Sequence, residues 1–218
     1  MTHLTIEPSI LYVGTPVELI STDNGDGTFN LAPMSSAWAL GDVVVLGIGT
    51  DGQTAHNLRR RPEMVINFPS PELWTAVESI AGMTGRYPVP EEKRERFRYE
   101  PAKFESAGLT PVPSELVGPP RVAECPLQFE AVADDIRLDA SSNFFIVEAR
   151  VLRVHADQRI VIPGTSYVDP RRWSPLIYNF RHYFGLAQQL GESFRTETPT
   201  AASCNSVSGG GWAELVHA

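Results

Sequence analysis

Cysteine is scarce in this 218-residue chain: only Cys125 and Cys204 occur, far apart and without a second pair. That argues against a disulfide framework and a cysteine zinc site, and both residues read as ordinary thiols. The five histidines are scattered with no His-x-x-x-His spacing, so no metal centre is expected. Positive charge is in deficit. A formal net charge of −8 argues against nucleic acid or an anionic membrane as partner and predicts a solvated acidic surface. No apolar run approaches the roughly 20 residues of a spanning helix. Met1 to Thr5 has neither the basic nor the apolar part of a signal segment, so a cytoplasmic protein is the expectation. No Gly-x-Ser-x-Gly elbow occurs, which argues against a serine hydrolase although Ser35, Ser36 and several His and Asp residues are present.

What is present concentrates between Phe29 and Asn67. The polar turn Asn30, Leu31, Ala32, Pro33, Met34, Ser35, Ser36, Ala37, Trp38 comes first. Pro33 lacks an N–H and suits an edge or bulge, while the hydroxyls of Ser35 and Ser36 can donate to anionic oxygens. Next, Val43 to Leu46 read as a strand buried on both faces, running into Gly47, Ile48, Gly49, Thr50, Asp51, Gly52. Gln53 to Arg61 read as a helix with Thr54 and Asn57 near its positive end, where anions bind. Pro62 ends it, and Met64 to Phe68 read as another strand. These residue types suit a flat, phosphorylated ligand.

This order resembles the flavin reductase-like family, whose FMN-binding split barrels carry Asn-Leu-Ala-Pro-x-Ser, a strand, a Thr-x-x-Asn helix and a strand ending in Asn. The matching residues are Asn30, Leu31, Ala32, Pro33, Ser35, then Thr54 and Asn57, then Asn67. The resemblance spans roughly residues 10 to 195, with its specific motifs in the first third. It implies a mainly β fold with flanking helices, an antiparallel, Greek-key-like split β-barrel over residues 1–195, while the Thr, Ser and Gly content that rises from Thr196 reads as a flexible tail over 196–218. It further implies FMN as cofactor and NAD(P)H as co-substrate. Backbone N–H groups around the Ala32 to Met34 segment, where Pro33 itself has none, would meet the flavin ring, with Gly47 and Gly49 letting the sheet backbone lie close. Ser35, Ser36, Gln53, Thr54 and Asn57 would share the ribityl chain and phosphate with Asn30 nearby. A homodimer is implied, and an oxygenase that receives the electrons is a further possible partner. No lysine follows Gly49, which leaves the phosphate to Thr54, Arg59 or the helix dipole.

The rest of the chain fits that plan. Leu11 to Thr22 read as a first strand, and Asp23, Asn24, Gly25, Asp26, Gly27 as a hairpin turn delivering Thr28 to Leu31. A calcium loop there would need a closing glutamate and flanking helices. Ser70, Pro71 and the stripe Leu73, Ala76, Val77, Ile80 predict a structural helix ended by Gly82. Arg86 to Pro126 is a proline-rich excursion with a short helix expected at Pro90 to Arg98; such a stretch is a binding wall, a lid or a solvated connector. Strands follow at Leu127 to Ala133 and Asn143 to Val154, without a helical crossover. Trp173 to Asn179 adds another, and Tyr183, Phe184, Ala187, Leu190 and Phe194 predict a final amphipathic helix.

Gly47, Gly49 and Gly52 also complete a Gly-x-Gly-x-x-Gly between a strand and a helix, the context of a dinucleotide-binding dehydrogenase. Against it, the next strand ends at Asn67 rather than an acidic residue, and no further strand-helix units follow. The preferred reading is an NAD(P)H:flavin oxidoreductase, with a flavin-binding protein that does not turn over as the alternative from another class. His182, beside Arg181 and Tyr183, is the candidate for orienting the nicotinamide; a helix-cap histidine is the plain alternative.

Overall fold

The computed structural model describes residues 1–89, 91 and 94–196. The first expected strand divides in two. Pro16 has no N–H to continue a ladder, and Val17 gives its own to the Leu176 carbonyl at 2.8 Å. Strand β1 (Val13–Pro16) therefore belongs to one sheet and β2 (Glu18–Asp23) to another. The acidic turn behaves as predicted: Gly25 and Gly27 take φ of 82° and 87°, and the Asp26 carboxylate accepts the Thr28 N–H at 3.0 Å. Strand β3 (Phe29–Met34) continues past Leu31 and through Pro33, which an edge strand tolerates. Where the polar turn was expected to continue, residues 37–40 form strand β4 (Ala37–Leu40), leaving only Ser35 and Ser36 between strands. Strand β5 (Val43–Gly49) buries Val44, Leu46 and Ile48 but leaves Val43 and Val45 half-buried, so it has one core face rather than two.

Helix α1 (Gln53–Leu58) stops short of Arg61, and β6 (Glu63–Phe68) follows. The long strands β9 (Leu127–Leu138) and β10 (Phe144–Ala156) complete a seven-stranded sheet in the order β3-β2-β6-β9-β10-β5-β4, every neighbouring pair antiparallel. Its two edges, β3 and β4, are consecutive in the chain. The sheet thus curls into an antiparallel barrel split at one seam, bridged by Ser35 and Ser36, with Gly47 N–H donating to the Ser36 carbonyl at 2.7 Å. The dinucleotide-fold alternative fails here, because β5 and β6 flank α1 but are separated by β10 and β9 in an antiparallel sheet.

Inside the barrel Ile20, Leu46, Met64, Ile66 and Val147 pack together, and outside it Leu19 and Leu31 meet Val77 and Ile80 of helix α2 (Trp74–Ala81). Burial of each such aliphatic side chain is worth about 1.5–3 kcal/mol. A single 3-10 turn, Pro71–Leu73, leads into α2, and Ser70 makes no side-chain cap bond to the helix. The excursion from Arg86 to Pro126 is no solvated connector. It carries helix α3 (Lys103–Ala107) and the short strands β7 (Pro111–Val112) and β8 (Arg121–Val122), and it sends Phe104, Leu109, Val122 and Cys125 into the outer core. The buried Glu130 carboxylate pins it, accepting the N–H groups of Glu115 and Leu116 at 2.9 and 2.6 Å and His155 Nε2 at 2.7 Å.

The expected final helix does not form. Strands β11 (Ile177–Asn179) and β12 (His182–Phe184) make a hairpin that joins β1, and residues 185–196 carry no helix. Tyr183 pairs with Tyr178 across the hairpin, while Leu190 and Phe194 stay exposed, so the apolar period had no core to face. The helix expected at 90–98 falls partly outside the described residues, and 94–96 form a turn. The tail from 197 onward, with Cys204, lies outside them.

Glu18 of β2 is fully buried, and neither carboxylate oxygen has a hydrogen-bond partner among the described residues. Burial pushes its pKa well above the usual carboxylate range. A raised folded-state pKa stabilises below the unfolded value, and that stability is lost as pH rises towards the folded one. Folding stability is therefore expected to fall above about pH 4.5 with a slope of up to about 1.4 kcal/mol per pH unit. Denaturant titrations of Glu18→Gln should show that slope removed; an unchanged slope would mean that Glu18 does not titrate on unfolding.

Candidate functional site

The seam of the barrel opens into a cavity of about 480 Å³, within the range of small-molecule sites. Its near wall is the β3–β4 connection, Ala32 to Ser36, and its floor is the end of β5 from Gly47 to Gly49. Gln53 and Thr54 of α1 close one end, while Thr84, Arg86, Phe97, Tyr178 and Tyr183 form the far side. Tyr12 ties the near wall in place by sharing a 2.8 Å hydrogen bond with Ser36 Oγ. The two glycines of the floor differ. A Cβ on Gly47 would lie 3.2 Å from Ser36 Cβ, so its absence lets the seam close; a Cβ on Gly49 would meet nothing within 4 Å, so the space above it is open.

One end of the cavity is polar and cationic. Lys103, one of two lysines in the chain, reaches in from α3, is nearly fully buried, and donates from Nζ to Asn30 Oδ1 at 2.5 Å. Asn30 Nδ2 in turn donates to Thr54 Oγ1 at 3.0 Å. Burial lowers the Lys103 pKa to about 8, against a smaller upward pull from Glu100. An ammonium in that position gains most from an anion placed beside it. The six-residue α1 contributes little macrodipole, so the charge at this end comes from Lys103, with Arg86 at the exposed rim. Asp51 shares the rim and accepts from Thr50 Oγ1 at 3.3 Å.

Nine of the residues singled out in the sequence come together here: Asn30, Ala32, Pro33, Met34, Ser35, Ser36, Gly49, Gln53 and Thr54 all line this cavity. Asn57 does not. It lies behind the wall, fully buried, donating to Thr22 Oγ1 at 3.0 Å and Asn24 Oδ1 at 2.9 Å and accepting from Gln53 Nε2 at 2.8 Å, which makes it a support for Gln53. Arg59 lies outside the lining too, with its guanidinium 5.4 Å from the Phe145 ring. His182 faces elsewhere. It is exposed, its Nδ1 lies 2.9 Å from the Phe180 carbonyl, and it lines a second cleft on the other side of Tyr178 and Tyr183. The residue that local reading missed is Lys103, because it arrives from a segment with no motif of its own, 73 residues from Asn30.

A family model for the flavin reductase like domain matches residues 11–187. The chain belongs to the flavin reductase-like family. It is therefore an oxidoreductase of that family, with the split barrel as its fold. An uncharacterized Bacillus subtilis (strain 168) protein, YdfE, is 48% identical over 195 residues, which cover 88% of this chain and 94% of that one. Among solved structures, the flavoredoxin of Desulfovibrio vulgaris (Miyazaki F) superposes with a TM-score of 0.70 at 22% identity, covering 89% of this chain and 98% of its own. Component B of a nitrilotriacetate monooxygenase from Bacillus cereus gives 0.68 at 19% identity, covering 88% and 100%. At those identities the two structures speak for the flavin reductase fold alone. In this family member the seam cavity is the candidate flavin site, since Asn30, Ala32, Pro33, Ser35 and Thr54 of the family motif line it.

Proposed function

We propose that the seam cavity binds FMN and that the protein uses it to oxidise NAD(P)H. The observation that carries this reading is the pairing of a buried cation with an open backbone floor in one cavity: Lys103 Nζ on Asn30, which in turn bonds Thr54, and Gly49 with nothing within 4 Å of where its Cβ would stand. A phosphate suits the first and a flat ring the second. Backbone around Ala32 to Met34 faces the ring, and Ser35, Ser36, Gln53 and Thr54 hold the chain between ring and phosphate. When bound, the flavin supplies the two-electron chemistry, and the protein's part is to hold and orient.

Two further elements belong to this reading. Trp38 and Leu40 are 61% and 76% exposed on edge strand β4, and such an apolar edge fits contact with a second copy of the chain. The acceptor of the electrons is proposed to be a separate protein or small molecule, as the name of the Bacillus cereus neighbour suggests for that protein, a monooxygenase component.

Mass spectrometry of the ligand released from purified protein, with titration of FMN, FAD and NAD into stripped protein, tests the cofactor. FMN is expected as the tight ligand. Ser35→Ala combined with Thr54→Ala is expected to weaken it by about 1–3 kcal/mol, because hydroxyl donors to a charged acceptor are lost. Unchanged FMN affinity with collapsed thermal stability would assign those hydroxyls to the fold.

A further inference from the structure

The β11–β12 turn breaks a local rule. Phe180 and Arg181 occupy it with φ of 44° and 66°, left-handed positions that glycine or asparagine usually fill. Two large side chains are kept there against steric strain, which points to a use for the side chains themselves. Phe180 is 45% exposed, and no hydrogen bond or ion pair engages the Arg181 guanidinium among the described residues.

The turn overlooks a second cleft of about 870 Å³, lined by Trp74, Glu78, His182, Tyr183 and Phe184 with Arg181 at its edge. Trp74 presents a half-exposed ring, 6.3 Å between centroids from Tyr183, and Tyr183 lies 5.4 Å from Tyr178. Tyr178 and Tyr183 also line the flavin cavity, so the two spaces adjoin across one aromatic wall. A molecule with two flat rings joined by an anionic linker matches such a pair of spaces with a free cation beside the second.

We propose that the second cleft takes the adenosine end of the dinucleotide reductant, with adenine on Trp74, the pyrophosphate towards Arg181 and His182, and the ribose hydroxyls at Glu78. This rests on the reading that a nicotinamide dinucleotide reduces flavin bound in the seam cavity. Glu78 accepts the Tyr183 hydroxyl at 2.9 Å and keeps acceptor capacity for a ribose hydroxyl. Its negative charge opposes a 2′-phosphate, so the cleft fits NADH rather than NADPH. The assignment also accounts for His182 lying outside the flavin cavity: it serves the far end of the reductant, not the nicotinamide.

The test uses the full chain loaded with FMN and two hydride donors, NADH and 1-benzyl-1,4-dihydronicotinamide, which has no adenosine. ADP-ribose is expected to compete with NADH while FMN stays bound. Arg181→Asn, chosen because asparagine accepts the left-handed backbone, should raise the KM for NADH relative to that for the truncated donor by about tenfold or more, the loss of one charge-assisted contact. Trp74→Ala should shift the ratio in the same direction, and NADPH should show the higher KM of the two dinucleotides. If both donors reduce the flavin but ADP-ribose does not compete and neither substitution moves the ratio, the cleft assignment is overturned and the reductase reading stands. A preference for NADPH overturns the role given to Glu78. If neither donor reduces the flavin, the reductase reading itself fails and takes the cleft assignment with it.

Discussion

Replacing Lys103 with methionine is expected to weaken FMN binding by about 1.5–3 kcal/mol, roughly tenfold to a hundredfold, without loss of the fold. The ammonium is nearly fully buried at the cavity end, and a hydrogen bond to a charged group in such a place is among the stronger single contacts. Methionine fills similar space and relieves a costly burial of charge. The pH dependence gives an independent check. With a pKa of about 8 in the free protein, Lys103 would be raised by a phosphate beside it. Affinity for FMN is then fully present below about pH 8 and declines as pH rises through that value towards the raised one, and in Lys103→Met this decline should be absent. The free protein should show the opposite trend in stability. Its folded pKa is depressed from 10.5, so the unfolded chain binds more protons between about pH 8 and 10.5 and stability rises across that window. Isothermal titration of FMN across pH 7 to 10 with both proteins reads the first effect; equal affinities would remove Lys103 from the site.

The two floor glycines are expected to fail in different ways. Gly47→Val should destabilise the fold by about 1–3 kcal/mol, since its Cβ alone would stand 3.2 Å from Ser36 Cβ at the closed seam and the branched methyls would force the strands apart. Gly49→Val should leave folding nearly unchanged, because its Cβ meets only open space, yet remove FMN binding by filling the position where the ring would lie. Thermal melts paired with flavin titrations separate the two. Loss of stability at Gly49 with FMN binding kept would contradict the assignment of the floor to the ligand.

Local sequence carried much of this architecture. The Asp23–Gly27 turn, the glycines of β5 and the proline before β6 each state their conformation in neighbouring residues, and the nine candidate residues that line the cavity lie within 25 positions of one another. Lys103 could not be found that way, since its place depends on Phe104 and Leu109 docking α3 on the outer core. Period alone also misled. Tyr183, Ala187, Leu190 and Phe194 fit a helix, but the hairpin to Tyr178 and the β1 partner were available to Tyr183, and nothing buried the rest. The valines of β5 looked like a strand covered on both sides, because an apolar run does not report that its outer face lies beside an edge strand with Trp38 and Leu40 exposed.

On the proposed function, this split barrel holds FMN and reduces it with a nicotinamide dinucleotide. Anaerobic stopped-flow spectroscopy of the FMN-loaded protein mixed with NADH tests it most directly. The flavin absorbance should bleach to completion at a saturable rate far above that of free FMN under the same conditions. Bleaching no faster than that of free FMN would contradict the account and leave the protein a flavin carrier, or an enzyme served by a different reductant.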